Sequence, residues 1–375
     1  MFKISIHILF FFIILFYFSH CHVDRSVTAP TDYRKVECKK DRYFIKDLCQ
    51  DEEEYLDWAS ANKQYPKLSD LTQTALQRIT ASTLDVDRAS AMFFTRSLSD
   101  KRNRNFMEYL VRKESDTSNI GYSNSDENLL LAMIPGMFYR DNPEIEADGH
   151  SLRKLAVSIG ISSVVIPVDQ TAPSDINAQI ICDFLSLQDS RKRIIIASVS
   201  KGSADFKRAI QKCEKSNDLK NVIGWLNLGG INKGSRIIDA INDSTPYFLE
   251  ARLYFFWKGY NWSGFQSLRF SENDGLNSDM KLPEHIKTIN VVAVPLFRHV
   301  TARARPFYEY LIRFGPNDGF NLLGDSLLPG SITVPSWRND HYFQRAVSTK
   351  QIRAVLEYLA ADDKNKEKLI RNESP

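Results

Sequence analysis

The sequence predicts an α/β fold, that is, a mostly parallel β-sheet flanked by helices. Short, unbroken apolar runs recur along the chain, and segments with helical spacing lie between them. An apolar run of about four to eight residues that ends at turn residues is typical of a strand buried on both faces. Strands that alternate with helices of about ten to fifteen residues indicate β-α-β units with right-handed crossovers.

The candidate strands and helices can be placed along the chain in order. The apolar runs cover 129–134, 163–168, 194–197, 222–228, 291–294 and 331–335. Between them, apolar residues recur at helical spacing over 150–159, 175–187 and 202–213. This alternation extends over most of the chain beyond residue 128, so we expect one sheet domain there.

Length, charge and motif content exclude several classes of protein. A chain of 375 residues with 43% hydrophobic content can build a sizeable core. Its 49 basic and 46 acidic residues leave a net charge of only +3, so electrostatics do not favour a nucleic-acid partner. We expect neither a metal nor a cofactor, because no paired Cys or His spacing, P-loop or glycine-rich dinucleotide motif occurs.

The N-terminus predicts export. Lys3 precedes the apolar run 4–18, and a polar stretch follows. This order is typical of a secretory signal peptide, here assigned to residues 1–21, and implies a secreted or periplasmic protein. The run is short for a membrane span, which takes about 20 apolar residues. An uncleaved signal that anchors the chain in a membrane is the alternative.

Export makes disulfides possible, because the compartments outside the cytoplasm are oxidising. Of the five cysteines, Cys21 lies at the end of the signal segment and four others can pair. Cys38 and Cys49 flank a short polar segment, which suits a local bridge. Cys182 and Cys213 lie on two successive predicted helices, where a bridge and two free buried thiols are the alternatives.

Residues 22–127 form an N-terminal extension that is mostly helical by its pattern. Residues 23–50 are polar and lack periodicity, whereas 51–115 carry apolar residues at loose helical spacing. Residues 116–127 are rich in Ser, Asn, Gly and Asp, which is typical of a linker. The extension is expected to pack on the main domain.

Residues 128–375 contain the predicted sheet and one long insert. The insert covers about 237–283 and is rich in aromatic residues. A cluster of this kind marks either the core of a small helical subdomain or a binding surface. The insert is therefore either an ordinary subdomain or a lid whose aromatic face covers an apolar substrate.

Ser200 is the candidate nucleophile. It lies between the strand 194–197 and the helix 202–213. A nucleophile elbow needs this order, and it needs small residues two positions before and after the serine, because the turn is strained. Ser198 and Gly202 occupy those positions. The turn places the hydroxyl at a helix N-terminus, which favours a developing oxyanion. An N-capping serine at a plain turn is the alternative.

An acid and a base follow Ser200 in the chain order Ser-Asp-His. Asp318 lies in the turn Asn317-Asp318-Gly319 after the fifth strand, and His341 follows the last strand. His341 is the candidate base, since chain order requires one there. Asp318 is the first choice for the acid, although Asn-Asp-Gly is a strong turn pattern in itself. Asp325 is the rival acid, which spacing alone does not exclude.

From Leu129 to about Leu359 the chain resembles the α/β-hydrolase family, in particular lipase-like members with a Ser-Lys-Gly elbow. The matching segments are Ser200-Lys201-Gly202, Asn227-Leu228-Gly229-Gly230, Asn317-Asp318-Gly319 and Asp340-His341. The chain departs from the usual elbow in having Ser198 where the family pattern has glycine. The resemblance leaves the N-terminal extension unexplained.

The resemblance implies an α/β-hydrolase fold and a Ser200-Asp318-His341 triad. In this family one oxyanion N–H comes from the loop after the first parallel strand and the other from the residue after the nucleophile. Met137 and Lys201 match those positions. The Lys201 side chain is expected to point outward, because successive residues at an elbow point in different directions.

The implied activity is a carboxylic ester hydrolase, lipase- or esterase-like, that works through an acyl-enzyme. A peptidase, an amidase or a thioesterase would use the same triad, and a binding protein without activity would share the fold. The expected partner is a small-molecule or lipid ester. Association with a membrane surface and the oligomeric state are left open by the sequence.

Overall fold

A computed structural model describes most of the chain, in the segments 38–116, 127–213, 218–270, 276, 280–344 and 348–361. Its main feature is a six-stranded parallel sheet, preceded by a two-stranded hairpin. The predicted signal peptide, residues 1–21, lies outside the described residues. Within the described part of the chain, no helix has both the length and the apolar character of a membrane span.

The N-terminal extension begins with a hairpin that the polar sequence did not predict. Strands β1 (Cys38–Arg42) and β2 (Ile45–Cys49) pair antiparallel. Cys38 faces Cys49 across the pair, and the two form a disulfide. This crosslink closes a hairpin that lacks a regular alternation of apolar residues, which is why periodicity missed it.

Four helices follow the hairpin, in agreement with the helical pattern over 51–115. They are α1 (Gln50–Ala61), α2 (Gln73–Thr83), α3 (Val86–Ser99) and α4 (Lys101–Ser115). Phe93 and Phe94 of α3 belong to the same hydrophobic cluster as the sheet residues Leu131, Ile195 and Leu226. The extension therefore completes the core on one face of the sheet.

The sheet has the strand order β4-β3-β5-β6-β7-β8, and all neighbouring strands are parallel. The strands are β3 (Leu129–Ile134), β4 (Ser162–Val165), β5 (Arg193–Val199), β6 (Val222–Leu228), β7 (Lys287–Val294) and β8 (Ile332–Trp337). All six predicted runs overlap strands. The edge strand β4 differs from expectation: it is only half-buried and ends before Pro167, which has no N–H to donate.

Helices cover both faces of the sheet. They are α5 (His150–Ser158), α6 (Ser174–Ser186), α7 (Lys201–Cys213), α11 (Arg305–Leu311) and α12 (Thr349–Ala360), with the insert helices α8 to α10 described below. Helices α6 and α7 bury one sheet face, and the extension together with α5 and α12 buries the other. A disulfide joins Cys182 of α6 to Cys213 of α7, which confirms the second predicted pair.

The insert is helical, with α8 (Arg236–Asp243), α9 (Thr245–Lys258) and α10 (Trp262–Gln266). Phe255 is buried at its centre and contacts the rings of Phe138, Trp262 and Phe265 at centroid distances of 5.8, 5.2 and 5.2 Å. Phe138 belongs to the loop after β3. The aromatic residues therefore form both the core of the insert and its contact with the sheet domain.

Candidate active site

Ser200 lies on a tight turn between β5 and α7. Its φ angle of 50° falls in the left-handed region, which is costly for a residue with a Cβ. The backbone is held there from both sides: Ser200 N donates to Leu228 O, and Ile231 N donates to Ser200 O, each at 3.1 Å. The end of β6 and the loop that follows it thus maintain the strained turn.

The residues two positions from Ser200 are small for identifiable reasons. A Cβ at Gly202 would lie 2.6 Å from the carbonyl oxygen of Pro135, so the loop after β3 can approach the elbow only over a glycine. Ser198 is fully buried, and its hydroxyl accepts a hydrogen bond from Trp225 Nε1 at 2.8 Å. It also bonds to Ser203 Oγ at 2.8 Å. Serine is accommodated in place of glycine because its hydroxyl has partners.

The structure brings Ser200, His341 and Asp318 together. His341 Nε2 lies 2.9 Å from Ser200 Oγ, and His341 Nδ1 lies 3.0 Å from Asp318 Oδ2. The side chains of His341 and Asp318 are 8% and 2% exposed. Three groups thus form one chain of hydrogen bonds: Ser200 follows β5, Asp318 lies in the loop after α11, and His341 follows β8.

Asp318 is fixed by the turn that contains it. Its Oδ1 accepts hydrogen bonds from Phe320 N at 2.8 Å and Asn321 N at 2.7 Å, which leaves Oδ2 for His341. The backbone N–H of His341 donates to Asp318 O at 2.8 Å. Asn321, which the sequence did not single out, also approaches His341 Nδ1 to 3.4 Å. Its position three residues after Asp318 is typical of a side chain that completes a turn.

The rival acid, Asp325, occupies a different place. It lies in a short helical turn, and among the described residues the carboxylate bonded to His341 is that of Asp318. Burial raises the pKa of Asp325 to about 6, while the positive charges of Arg236 and Lys233 act in the opposite direction. The geometry favours Asp318 over Asp325, and the choice between them is tested below.

The two predicted oxyanion positions flank Ser200. Met137 follows the Pro135-Gly136 turn after β3, which packs against the elbow, and it lines the same cavity as Ser200. Lys201 is the first residue of α7. The first N–H groups of a helix have no carbonyl partner within the helix, so they can bind an anion. The roles of both backbone groups stay predictions.

The prediction for the Lys201 side chain was wrong, because it points into the protein. Only 1% of it is exposed, and its Nζ lies 2.9 and 2.8 Å from the two carboxylate oxygens of Asp205. Asn177 of α6 donates to the same carboxylate at 2.7 Å. A lysine can be buried in this way because its partner stands four residues later on the same helix. Asp205 at that spacing was the sequence feature that could have revealed the pair.

A buried charge cluster that the sequence did not indicate lies behind the loop of His341. Glu52 of α1 is fully buried, and its carboxylate accepts hydrogen bonds from Arg338 Nε at 2.7 Å and Cys49 N at 2.9 Å. His299 Nε2 lies 3.1 Å away. Burial alone would raise the pKa of Glu52, but hydrogen bonds from Arg338, His299 and Cys49 hold it well below its usual range.

This cluster ties the hairpin to the loop that carries His341. Arg338 is the first residue after β8, has a φ of 67°, and also donates to Asp47 O of β2 at 2.8 Å. Further along the loop, Asp340 Oδ2 accepts from Thr301 N at 2.8 Å. The loop is therefore anchored at two residues just before His341, once by the N-terminal extension and once by the segment after β7.

Ser200 and His341 line a cavity of about 1580 Å³. One part of its wall comes from the insert and includes Ile237, Tyr254 and Phe265. Another part comes from the sheet and the N-terminal extension, and most of the wall is apolar. A site with a few polar groups in an apolar cavity is typical of small-molecule binding.

We expect Glu52→Gln to slow the reaction of Ser200 with a fluorophosphonate probe by at least about tenfold. The neutral amide in this variant cannot balance the positive charge of Arg338, so we expect the loop that carries His341 to loosen. A displacement of about 1 Å at a catalytic group can cost about 100-fold in rate. The measurement is the second-order labelling rate at a temperature where circular dichroism shows the variant to be folded.

Glu53→Gln is the matched control, because Glu53 pairs with Arg42 at the surface. We expect it to label at the wild-type rate, and Glu52→Asp to restore part of the loss. Equal labelling of folded Glu52→Gln and wild-type protein would show that the cluster does not position His341.

Comparison with known proteins gives matches in structure only. No protein-family model matches the chain, and no curated protein matches its sequence. A metagenomic carboxyl esterase superposes with a TM-score of 0.52 and 17% identity, covering 65% of this chain and 79% of its own. A mature lipase from Bacillus licheniformis gives a TM-score of 0.46 and 17% identity, covering 62% of this chain and 90% of its own. With its parallel sheet between two layers of helices, the chain has an α/β-hydrolase fold.

Proposed function

We propose that the protein is an exported serine hydrolase that cleaves a carboxylic ester through an acyl-enzyme. The observation that carries this proposal is the hydrogen-bonded chain from Ser200 Oγ through His341 to Asp318, with distances of 2.9 and 3.0 Å. A serine held at positive φ at the start of a helix adds to it. An ordinary capping serine would need neither the strained turn nor an imidazole aimed at its hydroxyl.

The proposed reaction begins with proton transfer. Asp318 accepts a hydrogen bond from Nδ1–H of His341 and stays ionised, which leaves the Nε2 lone pair free to take the hydroxyl proton of Ser200 and form the imidazolium. Ser200 Oγ then adds to the ester carbonyl carbon, and the backbone N–H groups of Met137 and Lys201 stabilise the oxyanion. The imidazolium returns its proton to the leaving alcohol as the C–O bond breaks.

The second half of the proposed cycle releases the acid. Water loses a proton to His341 Nε2 and adds to the carbonyl carbon of the acyl-enzyme. Collapse of this second tetrahedral intermediate breaks the bond to Ser200 Oγ, which recovers its proton from the imidazolium. The products are a carboxylic acid and an alcohol, and the enzyme returns to its starting state.

The cavity supports an ester substrate over the alternatives on the same fold. A peptidase needs polar groups along an extended groove to bind the peptide backbone, whereas this wall is mostly apolar. A thioesterase would use the same residues, so it is the closest alternative. The ordered contacts of Ser200 with His341 argue against a binding protein that has lost its activity.

Two further features support export and a lipid-like substrate. The disulfides Cys38–Cys49 and Cys182–Cys213 fit an extracellular or periplasmic location. On the outer face of α9, Leu249, Leu253 and Phe256 are 60%, 57% and 84% exposed. These residues lie three to four positions apart, so they form one apolar stripe on the insert. We propose that this stripe contacts a lipid surface.

The first test is covalent labelling. A fluorophosphonate probe is expected to label the mature protein at one site, and Ser200→Ala is expected to remove both the label and the hydrolysis of p-nitrophenyl butanoate. The loss in kcat should be at least about 1000-fold, because the covalent step has no substitute nucleophile. Labelling that persists in folded Ser200→Ala protein would rule out Ser200 as the nucleophile.

The second test separates the two candidate acids. We expect Asp318→Asn to lower kcat for p-nitrophenyl butanoate by about 1000- to 10,000-fold, because the amide favours the wrong tautomer of His341. Asp325→Asn is the matched control and should retain activity within about tenfold. The opposite ranking of the two variants would assign the acid to Asp325.

The third test concerns the stripe on α9. We expect Leu253→Ser combined with Phe256→Ser to weaken sedimentation with phosphatidylcholine vesicles at least about tenfold, since exposed apolar area provides the binding free energy. Glu250→Ser on the same helix is the matched control. Undiminished sedimentation of the double variant would contradict a role for the stripe.

A further inference from the structure

The cavity of Ser200 has a part that neither the triad nor the insert explains. Besides the wall contributed by α8 to α10, it is lined by residues of the sheet and of the N-terminal extension, among them Leu228, Val334 and Leu110. We call this part of the cavity the chamber. Its walls come from elements that lie on the face of the sheet opposite α6 and α7.

The floor of the chamber is a row of three side chains that starts beside the nucleophile. Leu228 O accepts the N–H of Ser200. Leu228 is paired with Val291 of β7, and Val291 is paired with Val334 of β8. Residues paired in a parallel sheet point to the same face, and strands lie about 4.8 Å apart. The row therefore leads about 10 Å from the elbow across the sheet.

The three residues of the floor line the cavity and also pack with the hydrophobic core. Val291 of β7 and Val334 of the edge strand β8 keep 8% and 9% of their surface accessible. Ile289 and Ile195, which belong to the same hydrophobic cluster, keep 0%. Leu228, Val291 and Val334 thus belong to the part of the hydrophobic core that borders the cavity.

The roof comes mainly from helices of the N-terminal extension, with one residue from the last helix of the sheet domain. Met107 and Leu110 of α4 and Phe94 of α3 belong to the N-terminal extension, and Val355 belongs to α12. Where α4 and α12 meet, Gln351 Nε2 donates to Glu114 Oε2 at 2.7 Å, so these two polar groups on the wall satisfy each other. The chamber therefore offers mainly apolar contacts to an occupant that reaches it from Ser200.

We propose that the chamber binds the acyl chain of a long-chain ester, and that the N-terminal extension sets the accepted chain length. The assignment rests on the proposed function, because the acyl carbon must lie at Ser200 for its chain to enter the chamber. A flexible hydrocarbon chain matches a narrow apolar space that starts at the nucleophile. Each CH₂ that it buries should increase kcat/KM by about fourfold until the chamber is filled.

The test compares chain lengths in a variant that fills the chamber. In Leu110→Trp the indole ring is larger than the leucine side chain and fills part of the chamber. Val111→Trp, one residue later on the more exposed side of α4, is the matched control. The substrates are p-nitrophenyl butanoate and p-nitrophenyl decanoate, both below their critical micelle concentrations. We expect the ratio of kcat/KM for decanoate over butanoate to fall at least tenfold in Leu110→Trp and to stay at the wild-type value in Val111→Trp.

Val355→Phe narrows the chamber from α12 and serves as the second variant, in case Leu110→Trp does not fold. Fluorophosphonate labelling of each variant shows that the site is intact. An unchanged chain-length ratio in a variant that still labels would overturn the chamber assignment and leave the proposed function standing. A wild-type protein that neither labels nor hydrolyses either ester would overturn the proposed function, and the chamber assignment with it.

Discussion

The close backbone contact at the nucleophile elbow is the constraint on which the rest of the site depends. Gly202 lets the carbonyl of Pro135 approach to a distance that no side chain would allow, and the loop after β3 therefore lies against the start of α7. Hydrogen bonds from Ile231 and to Leu228 hold Ser200 at positive φ. The strain of this turn is offset by the packing of β3, β5 and β6, so the position of Ser200 is a property of the whole sheet.

Two buried ion pairs lie close to the site, Lys201 with Asp205 and Glu52 with Arg338. Lys201 and Asp205 connect the elbow to α6 through Asn177. Glu52 and Arg338 connect the hairpin to the loop of His341. Breaking a buried pair by removing one partner costs about 3 to 5 kcal/mol, so these pairs bind the elements firmly in one arrangement.

The N-terminal extension has two structural relations to the site. Its hairpin and α1 hold the loop of His341 through Glu52, and α3 and α4 roof the space above the row from Leu228 to Val334. Both relations follow from its place on one face of the sheet, where it shares a single core with β5 to β8. The extension is therefore part of the proposed catalytic unit, and removing it would expose that core.

From the amino-acid sequence alone, the strands, the helices between them, the candidate nucleophile Ser200 and the Cys38–Cys49 pair could be predicted, whereas a bridge and free thiols remained alternatives for Cys182 and Cys213. These predictions rest on local patterns: apolar runs, helical spacing, small residues at a turn and a short segment between two cysteines. Only the tertiary structure decided the direction of the Lys201 side chain, the contact of Asp318 with His341, and the ion pair between Glu52 and Arg338. The contacts of Asp318 with His341 and of Glu52 with Arg338 join residues 23 and 286 positions apart, which no local pattern encodes. Lys201 and Asp205 have a local spacing of four residues, but the packing of the domain decides that their face of the helix is buried.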